Sequence, residues 1–473
     1  MSGLDGGIDG RASEIKAKIR DVLGADRTLA FDEVARILSP SRHSISRQQL
    51  WKLFQQVDAQ NTGRVNASSF VDYVFSLPQA GMGDDLSSEA VFTVKMTSTV
   101  HDEEASWALP IRLDQNLVQQ FSQLEQSGKV IVEYVWLDCN FTDGRAFDLC
   151  SKSMTVDRVP RTTSELMVWT YSGEDESDLF LVPRRIYQDP FRKGENIIVL
   201  CDVYEAPLPE TGQLHGAPVY FNSRVACEKA MASAFGQGED PWFGIEQEYY
   251  LLDLRTKWPL GWPLNGEPGR HENYYCSVGA DKAPGKEVVE CHYRACLFAG
   301  VQICGINSEV APGQWEYQLG PSPGIEAADD HWMSRYILQR VCELFHVAVS
   351  FDPKPVPDWA GLGCHTNYST ASTRQRPGGL AAIKTQCEKL RATHQDHMKV
   401  YGQGNERRLT GQASTASMDD FSWAVGERHC SIRIPAKVAA AGYGYYEDRR
   451  PAANMDPYLV TAALVKTTLL DEK

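Results

Sequence analysis

Trp242-Phe-Gly-Ile-Glu246-Gln-Glu248-Tyr-Tyr-Leu-Leu252 is a run of aromatic and aliphatic residues interrupted by two glutamates. Its composition reads as a β-strand. Side chains alternate faces along a strand, so Glu246 and Glu248 point the same way. A surface strand could also carry Glu-x-Glu. Here the flanks are apolar on both parities, which implies burial on both faces. Two adjacent buried carboxylates repel and cost several kcal/mol unless cations neutralise them. Downstream, Asn307-Ser-Glu309-Val-Ala-Pro-Gly-Gln-Trp-Glu316-Tyr-Gln-Leu-Gly320 again sets glutamates among apolar neighbours. Hard oxygen ligands at this density favour Mg²⁺ or Mn²⁺.

Two further stretches carry chemistry. Gly361-Leu-Gly-Cys-His365-Thr-Asn367 is a glycine-rich loop presenting one histidine. The last 70 or so residues concentrate arginine at 407, 408, 428, 433, 449 and 450, several in apolar contexts such as Ser431-Ile-Arg433-Ile-Pro435. Glu447 lies beside them in Gly444-Tyr-Tyr-Glu447-Asp-Arg449-Arg-Pro451. Structural ion pairs would explain part of this cluster. In a chain of net charge −15, arginines gathered in one region also suit an anionic ligand such as phosphate or carboxylate. An acidic metal site plus an arginine cluster points to phosphoryl transfer from a nucleotide.

The remainder of the 473 residues sets the context. With 42% hydrophobic and 23% charged residues the chain can build packed cores, and its length suggests about three domains. The acidic balance argues against nucleic acid or an anionic membrane as partner. No apolar run approaches the ~18 residues of a membrane span. The start, Met1 to Lys16, lacks the basic-then-apolar pattern of a secretory signal. Twelve cysteines without Cys-x-x-Cys spacing fit reduced thiols, and a cytoplasmic location is expected.

Residues 1–104 read as a helical extension and linker. Leu50, Leu53, Phe54 and Val57 fall on one helix face. A twelve-residue stretch from Asp58 to Ser69 follows, then an amphipathic segment with Phe70, Val74 and Phe75. Helix, loop, helix is the EF-hand layout, and Asp58, Gly63 and Val65 sit at loop positions 1, 6 and 8. The ligand positions match poorly, with Gln60, Thr62, Asn66 and Ser69 at 3, 5, 9 and 12. One carboxylate does not offset the desolvation of Ca²⁺. This extension is therefore expected to serve structure or docking of a protein partner. Residues 83–104 read as an acidic connection. Residues 105–212 turn to strands, notably Val130–Leu137 and Ile197–Val203, and 213–473 alternate helices with short strands. Helices are expected over about 327–346 and 380–400, with His394 as a core histidine on the second.

Taken in order, Trp-Phe-Gly-x-Glu-Gln-Glu-Tyr, Glu-Val-x-Pro-x-Gln-Trp-Glu-Tyr-Gln-x-Gly-Pro, Gly-Cys-His-Thr-Asn, Ser-Ile-Arg-Ile-Pro and Glu-Asp-Arg-Arg-Pro-x-Ala-Asn resemble eukaryotic-type (class II) glutamine synthetases, over about residues 130–470. The resemblance implies an α+β fold: a β-grasp domain at 105–212 and, at 213–473, a catalytic domain of curved antiparallel sheet and helices. It implies a homo-oligomer of stacked rings, decamer-like, with active sites between neighbouring subunits. The implied chemistry is phosphorylation of the γ-carboxylate of glutamate by ATP, followed by displacement of phosphate by ammonia. Motif matching places the ligands of two or three Mg²⁺ or Mn²⁺ ions on Glu246, Glu248, Glu309, Glu316, His365 and Glu447. It places the acid-substrate contacts on Arg408 and Arg449, with Trp359 at the same end. The ATP contacts fall on Arg428, Arg433, Asn367, Tyr368, Ser369, Tyr445 and Tyr446, with Glu246 and Glu316 serving ATP through metal. Arg408, Arg428 and Arg449 carry the catalytic charge.

The sequence departs from the family at four places. The aspartate that helps bind and deprotonate ammonium is Ser172, and the flap glutamate that closes over the intermediate is Ser414. An asparagine that contacts glutamate is Ala360, and an arginine after Ile-Arg-Ile-Pro is Ala436. Ammonium binds where negative charge offsets its desolvation, and a serine hydroxyl supplies neither that charge nor a base near neutral pH. The expectation is an ATP-dependent carboxylate–amine ligase in which ammonia use is lost or weakened and a larger, already neutral amine is admitted. Two other readings stand beside it. One is a non-catalytic, nucleotide-binding regulatory protein. The other is ordinary glutamine synthesis with Glu174, Asp175 or Glu176 in place of the missing aspartate.

Overall fold

The computed structural model describes residues 28–30, 57, 64–66, 69, 115–138, 148–173, 177–208, 212–263, 266–269 and 273–472. The chain divides into two compact units, residues 1–107 and 108–473. In the first, strands β1 (Thr28–Ala30) and β2 (Arg64–Asn66) pair antiparallel with Leu29 opposite Val65. The second strand covers positions 7 to 9 of the expected EF-hand-like loop, and Val65 at position 8 is buried. Asp58, most of the flanking helical stretches and the 83–104 connection lie outside the described residues.

The second unit opens with helix α1 (Gln115–Ser122) and five strands: β3 (Val130–Asp138), β4 (Asp148–Val156), β5 (Trp169–Ser172), β6 (Asp178–Gln188) and β7 (Ile197–Tyr204). They form a sheet in the order β4-β3-β7-β6-β5, with β3 and β7 parallel and the other neighbours antiparallel. Strand β7 is buried along its whole length. Alternation explains how: Ile197, Val199, Cys201 and Val203 fill a core on one side, while Ile198 and Leu200 join the main core on the other.

Next come α2 (Ser223–Gly236), β8 (Trp242–Asp253), α3 (Lys286–Ala299), β9 (Ile303–Ser308), β10 (Gln314–Pro323), α4 (Glu326–Leu344), β11 (Val347–Ser350), β12 (Cys364–Ser369), α5 (Ala371–Arg374), α6 (Gly379–Ala392), α7 (His394–Met398), β13 (Trp423–Val425), β14 (Ile432–Ile434), α8 (Ala436–Ala441), β15 (Tyr446–Asp448) and α9 (Pro457–Val465). Eight strands make one sheet, β13-β14-β15-β12-β8-β10-β9, with β11 also on β8. At twelve residues β8 is long enough for β12 to pair with its first half and β11 with its second. The fold is α+β.

Helix α4 is buried along most of its length, polar residues included, because those residues have partners. Arg335 donates Nε to Gln247 Oε1 (2.9 Å), Nη1 to Met455 O (2.9 Å) and Nη2 to Ala453 O (2.7 Å). The expected helix over 380–400 is instead two helices divided at Thr393. That residue leaves helical geometry at φ −111° and turns its hydroxyl back to Lys389 O. His394 starts the second helix as a core residue, bonded to Met418 O (2.8 Å) and Arg450 (3.1 Å). No described helix is long and apolar enough to cross a membrane.

Candidate active site and metal centre

Strand β8 sorts its side chains by parity. Ile245, Tyr249 and Leu251 go into the main core, and Gln247 binds His331 and Arg335 of α4 beneath the sheet. Glu246 and Glu248 face the other way, as the period of two requires. Register then brings distant residues onto that face. Strand β10 sets Glu316 opposite Glu248 and Gln318 opposite Glu246. Strand β12 sets His365 opposite Glu246 and Asn367 opposite Gly244. Strand β15 sets Glu447 opposite Asn367, and β14 sets Arg433 opposite Glu447. Glu309 lies in the tight turn between β9 and β10, its N–H donated to Gln314 O (2.9 Å).

Two groups of ligand atoms result. Donor atoms of Glu246, His365 and Glu447 all lie within 4.8 Å of one another. His365 Nδ1 is 3.6 Å from Glu246 Oε2 and 3.5 Å from Glu447 Oε1. Burial, followed by the Arg449 charge, holds the His365 pKa well below its ordinary value, so the ring is neutral with a lone pair to offer. The other group is Glu248, Glu309 and Glu316, all buried. Burial first and the Glu248 charge second push Glu309 up to about 8 and Glu316 up to about 9. Burial also raises Glu248, against the Gly363 N–H donated to its Oε2 at 2.9 Å. Five carboxylates on one face plus one neutral imidazole form a donor set that suits hard divalent cations.

The sequence has relatives of known family. Residues 221–379 match the model of the glutamine synthetase catalytic domain. The chain is 50% identical over 370 residues to a cytosolic glutamine synthetase isozyme of Chlamydomonas reinhardtii, a match covering 76% of this chain and 95% of that one. It is 48% identical over 350 residues to cytosolic isozyme 1-1 of Oryza sativa subsp. japonica, covering 72% and 94%. It is also 48% identical over 357 residues to the chloroplastic/mitochondrial glutamine synthetase of Arabidopsis thaliana, covering 73% and 79%.

The chain belongs to the glutamine synthetase family.

It is an ATP-dependent ligase of the glutamine synthetase type, and its arginines surround the acidic face in distinct ways. Arg449 donates Nη1 to Glu447 Oε1 (2.6 Å), Nε to Arg428 O (3.1 Å) and Nη2 to Ser414 O (3.4 Å). Arg433 donates Nη1 to Glu447 Oε2 (3.0 Å). Arg408 is buried, with Nε on Asn405 Oδ1 and Nη2 on the carbonyls of Arg449, Arg450 and Pro451. It pins the 449–451 segment and leaves Nη1 for other work. Arg428 is exposed, and its charge reaches Glu309, Tyr275 and His365.

Not every residue expected at a glutamine synthetase nucleotide site lies with this cluster. Tyr368 and Tyr446 are fully buried on the opposite side of the sheet, with rings 5.6 Å apart. Tyr368 stacks on Phe243 and bonds Thr468. Tyr368 follows the site-facing Asn367, and Tyr446 precedes the site-facing Glu447, so alternation sends both tyrosines into the core. The Asn367 amide goes to Glu246 Oε1 (2.8 Å). Ser369 shares that face and accepts from Arg374 (2.9 Å). Tyr445 is partly buried, 5.7 Å from the Lys437 ammonium. Trp359 is an edge-on neighbour of Trp262 in an aromatic cluster, with ring centroids 5.0 Å apart. Ser172 ends β5 exposed, and Ser414 is exposed with φ +60°, next to Ala413 at +48°. Neither supplies an anion. Glu174, Asp175 and Glu176 lie outside the described residues. Sequence reasoning missed Asn307 and Gln318, although Gln318 stands two residues beyond Glu316 and so shares its face.

Proposed function

We propose that this ligase uses ATP to activate the γ-carboxylate of glutamate, or of a similar acid, as an acyl phosphate for amide formation, and that it uses ammonia poorly. The observation that carries the reading is the convergence of Glu246, Glu248, Glu309, Glu316, His365 and Glu447 from five separate segments onto one face. These six residues would hold two or three Mg²⁺ or Mn²⁺ ions, which when bound supply positive charge for the transferring phosphoryl group. Arg428, exposed at the rim of the acidic face, reaches for the phosphates. Arg433 and Arg449 hold Glu447 in place, and the remaining donor of Arg408 orients the acid. Asn367 fixes the carboxylate of Glu246. The acyl phosphate forms as the substrate oxygen attacks the γ-phosphorus of ATP, and ADP leaves. An amine nitrogen then attacks the acyl carbon, phosphate leaves with its bonding electrons, and the nitrogen gives up a proton to the departing phosphate or to water.

The weakness toward ammonia follows from Ser172 and Ser414. Ammonium must lose a proton before it attacks, and two neutral hydroxyls neither hold it nor take that proton. An amine that is already neutral attacks without that first proton loss. The same reading takes the protein as a cytoplasmic homo-oligomer of stacked rings, with residues 1–104 as an EF-hand-like module that docks a protein partner rather than sensing Ca²⁺.

The test is phosphate release and product formation by purified protein with ATP, Mg²⁺, glutamate and either ammonium or a panel of weakly basic amines that are neutral at pH 7. Faster turnover with one of the amines supports the proposal. Glutamine made from ammonia at about 1 s⁻¹ or faster contradicts it. Tight ATP binding without phosphate release under any condition would favour the non-catalytic alternative.

A further inference from the structure

We propose that Gln318 and Asn307 are positioning residues that lock Glu316 and Glu309 into a fixed pair for divalent cations, and that Gly305 is glycine to make room for them. The inference rests on the metal reading above and extends it to residues that touch no ligand.

The β9–β10 register sets Asn307 opposite Glu316 and Gly305 opposite Gln318. Gln318 and Glu316 therefore stand two apart on one strand, with Asn307 and Gly305 facing them. The amides connect in series. Asn307 Nδ2 donates to Glu309 Oε1 (2.9 Å). Gln318 Nε2 donates to Asn307 Oδ1 (2.7 Å) and to Glu316 Oε1. One oxygen of each carboxylate is thus held by an amide, which leaves the other to a cation. Amides suit this task because they orient a carboxylate without adding charge. An arginine or lysine there would supply the neutralisation that the cation provides, and would compete with it.

Gly305 gives an independent observation. A Cβ placed on it would lie 2.3 Å from Gln318 Oε1 and 3.4 Å from its Cδ. Its φ is not in the left-handed region, so the backbone does not demand glycine. Space for the Gln318 amide does. With a side chain at 305, Gln318 must swing away and the series breaks at its centre.

The experiment is titration of the full chain with Mn²⁺, following free ion by electron paramagnetic resonance, for the parent, Glu316→Gln, Gln318→Ala, Gly305→Ala and the Gly305→Ala/Gln318→Ala double variant. Loss of an orienting partner costs about 10- to 100-fold in metal affinity. Gln318→Ala is expected to weaken Mn²⁺ binding by about 10-fold or more, and Gly305→Ala by a similar factor. The double variant should match Gln318→Ala within about twofold, because the glycine acts only through the glutamine. Parent-like binding by Gly305→Ala, or a further tenfold loss when it is added to Gln318→Ala, overturns the inference. Glu316→Gln tests the underlying reading separately: if it binds Mn²⁺ like the parent, the metal assignment fails whatever Gln318 does. Melting in EDTA checks that each variant folds. Should Gly305→Ala not fold, Asn307→Ala replaces it, with weakened binding expected and unchanged binding contradicting the proposal.

Discussion

Glu248 sits where the fields of the site meet. It is buried, its charge raises both Glu309 and Glu316, and its own support is one backbone N–H and the charges of two arginines. Glu248→Gln keeps the shape and removes the charge. Metal-dependent phosphate release should fall at least about 100-fold, as expected when several kcal/mol of charge stabilisation is lost. Unaltered turnover in that assay would mean the ligands are misassigned. His397 makes a different point. It is buried between Tyr401 OH (2.7 Å) and Thr467 Oγ1 (2.9 Å). Burial, then the Arg450 charge, lower its pKa from 6.5 to about 3. Below pH 6.5 the unfolded chain binds a proton that the folded chain refuses. The stabilisation is therefore complete above pH 6.5 and is lost as pH falls, by about 1.4 kcal/mol per pH unit. Between pH 6.0 and 5.0 the parent should lose about 1.2 kcal/mol more than His397→Asn in denaturant titrations. Equal slopes would contradict this account of the histidine.

Among the elements, β8 and α4 form the supporting pair. The parity of β8 is legible from its residues alone, which places Glu246 and Glu248 on one face by alternation. The same rule, applied to Asn367-Tyr368 and Tyr446-Glu447, sends both tyrosines into the core. Motif matching assigns whole stretches to the nucleotide and takes no account of the alternation within each. Register is not legible. His365 meets Glu246 across 119 positions of chain through the β12–β8 pairing, and no local pattern encodes which residues of two strands stand opposite. The break at Thr393 is hidden for a related reason, since apolar spacing runs straight through it. Arg335 is equally silent, because a buried arginine has no sequence signature when its acceptors are distant carbonyls. Arg335→Met leaves Gln247 Oε1, Ala453 O and Met455 O without that donor. It should cost at least about 3 kcal/mol, read as a lowered urea midpoint. A midpoint unchanged from the parent would show that these acceptors find other donors.

At the scale of the whole molecule, the chain couples a glutamine synthetase catalytic unit to a separate N-terminal unit in which β1 pairs with β2. The family is legible in the sequence because its motifs are long and keep their order. The proposed preference for an amine over ammonia rests on two missing charges, at Ser172 and Ser414. The acidic face predicts a dependence on divalent ions that does not need catalysis to be seen. Mg²⁺ at about 100 times its dissociation constant should stabilise the protein by about 2.7 kcal/mol per site, and EDTA should reverse it. Melting temperatures that ignore Mg²⁺ would count against a cation site. The most direct measurement is anomalous X-ray scattering at the manganese edge from crystals grown with MnCl₂ and a non-hydrolysable ATP analogue. Two or three peaks are predicted, one bonded to Glu246, His365 and Glu447 and at least one to Glu248, Glu309 and Glu316. A map with manganese bound elsewhere, and none in contact with those carboxylates, would contradict the account.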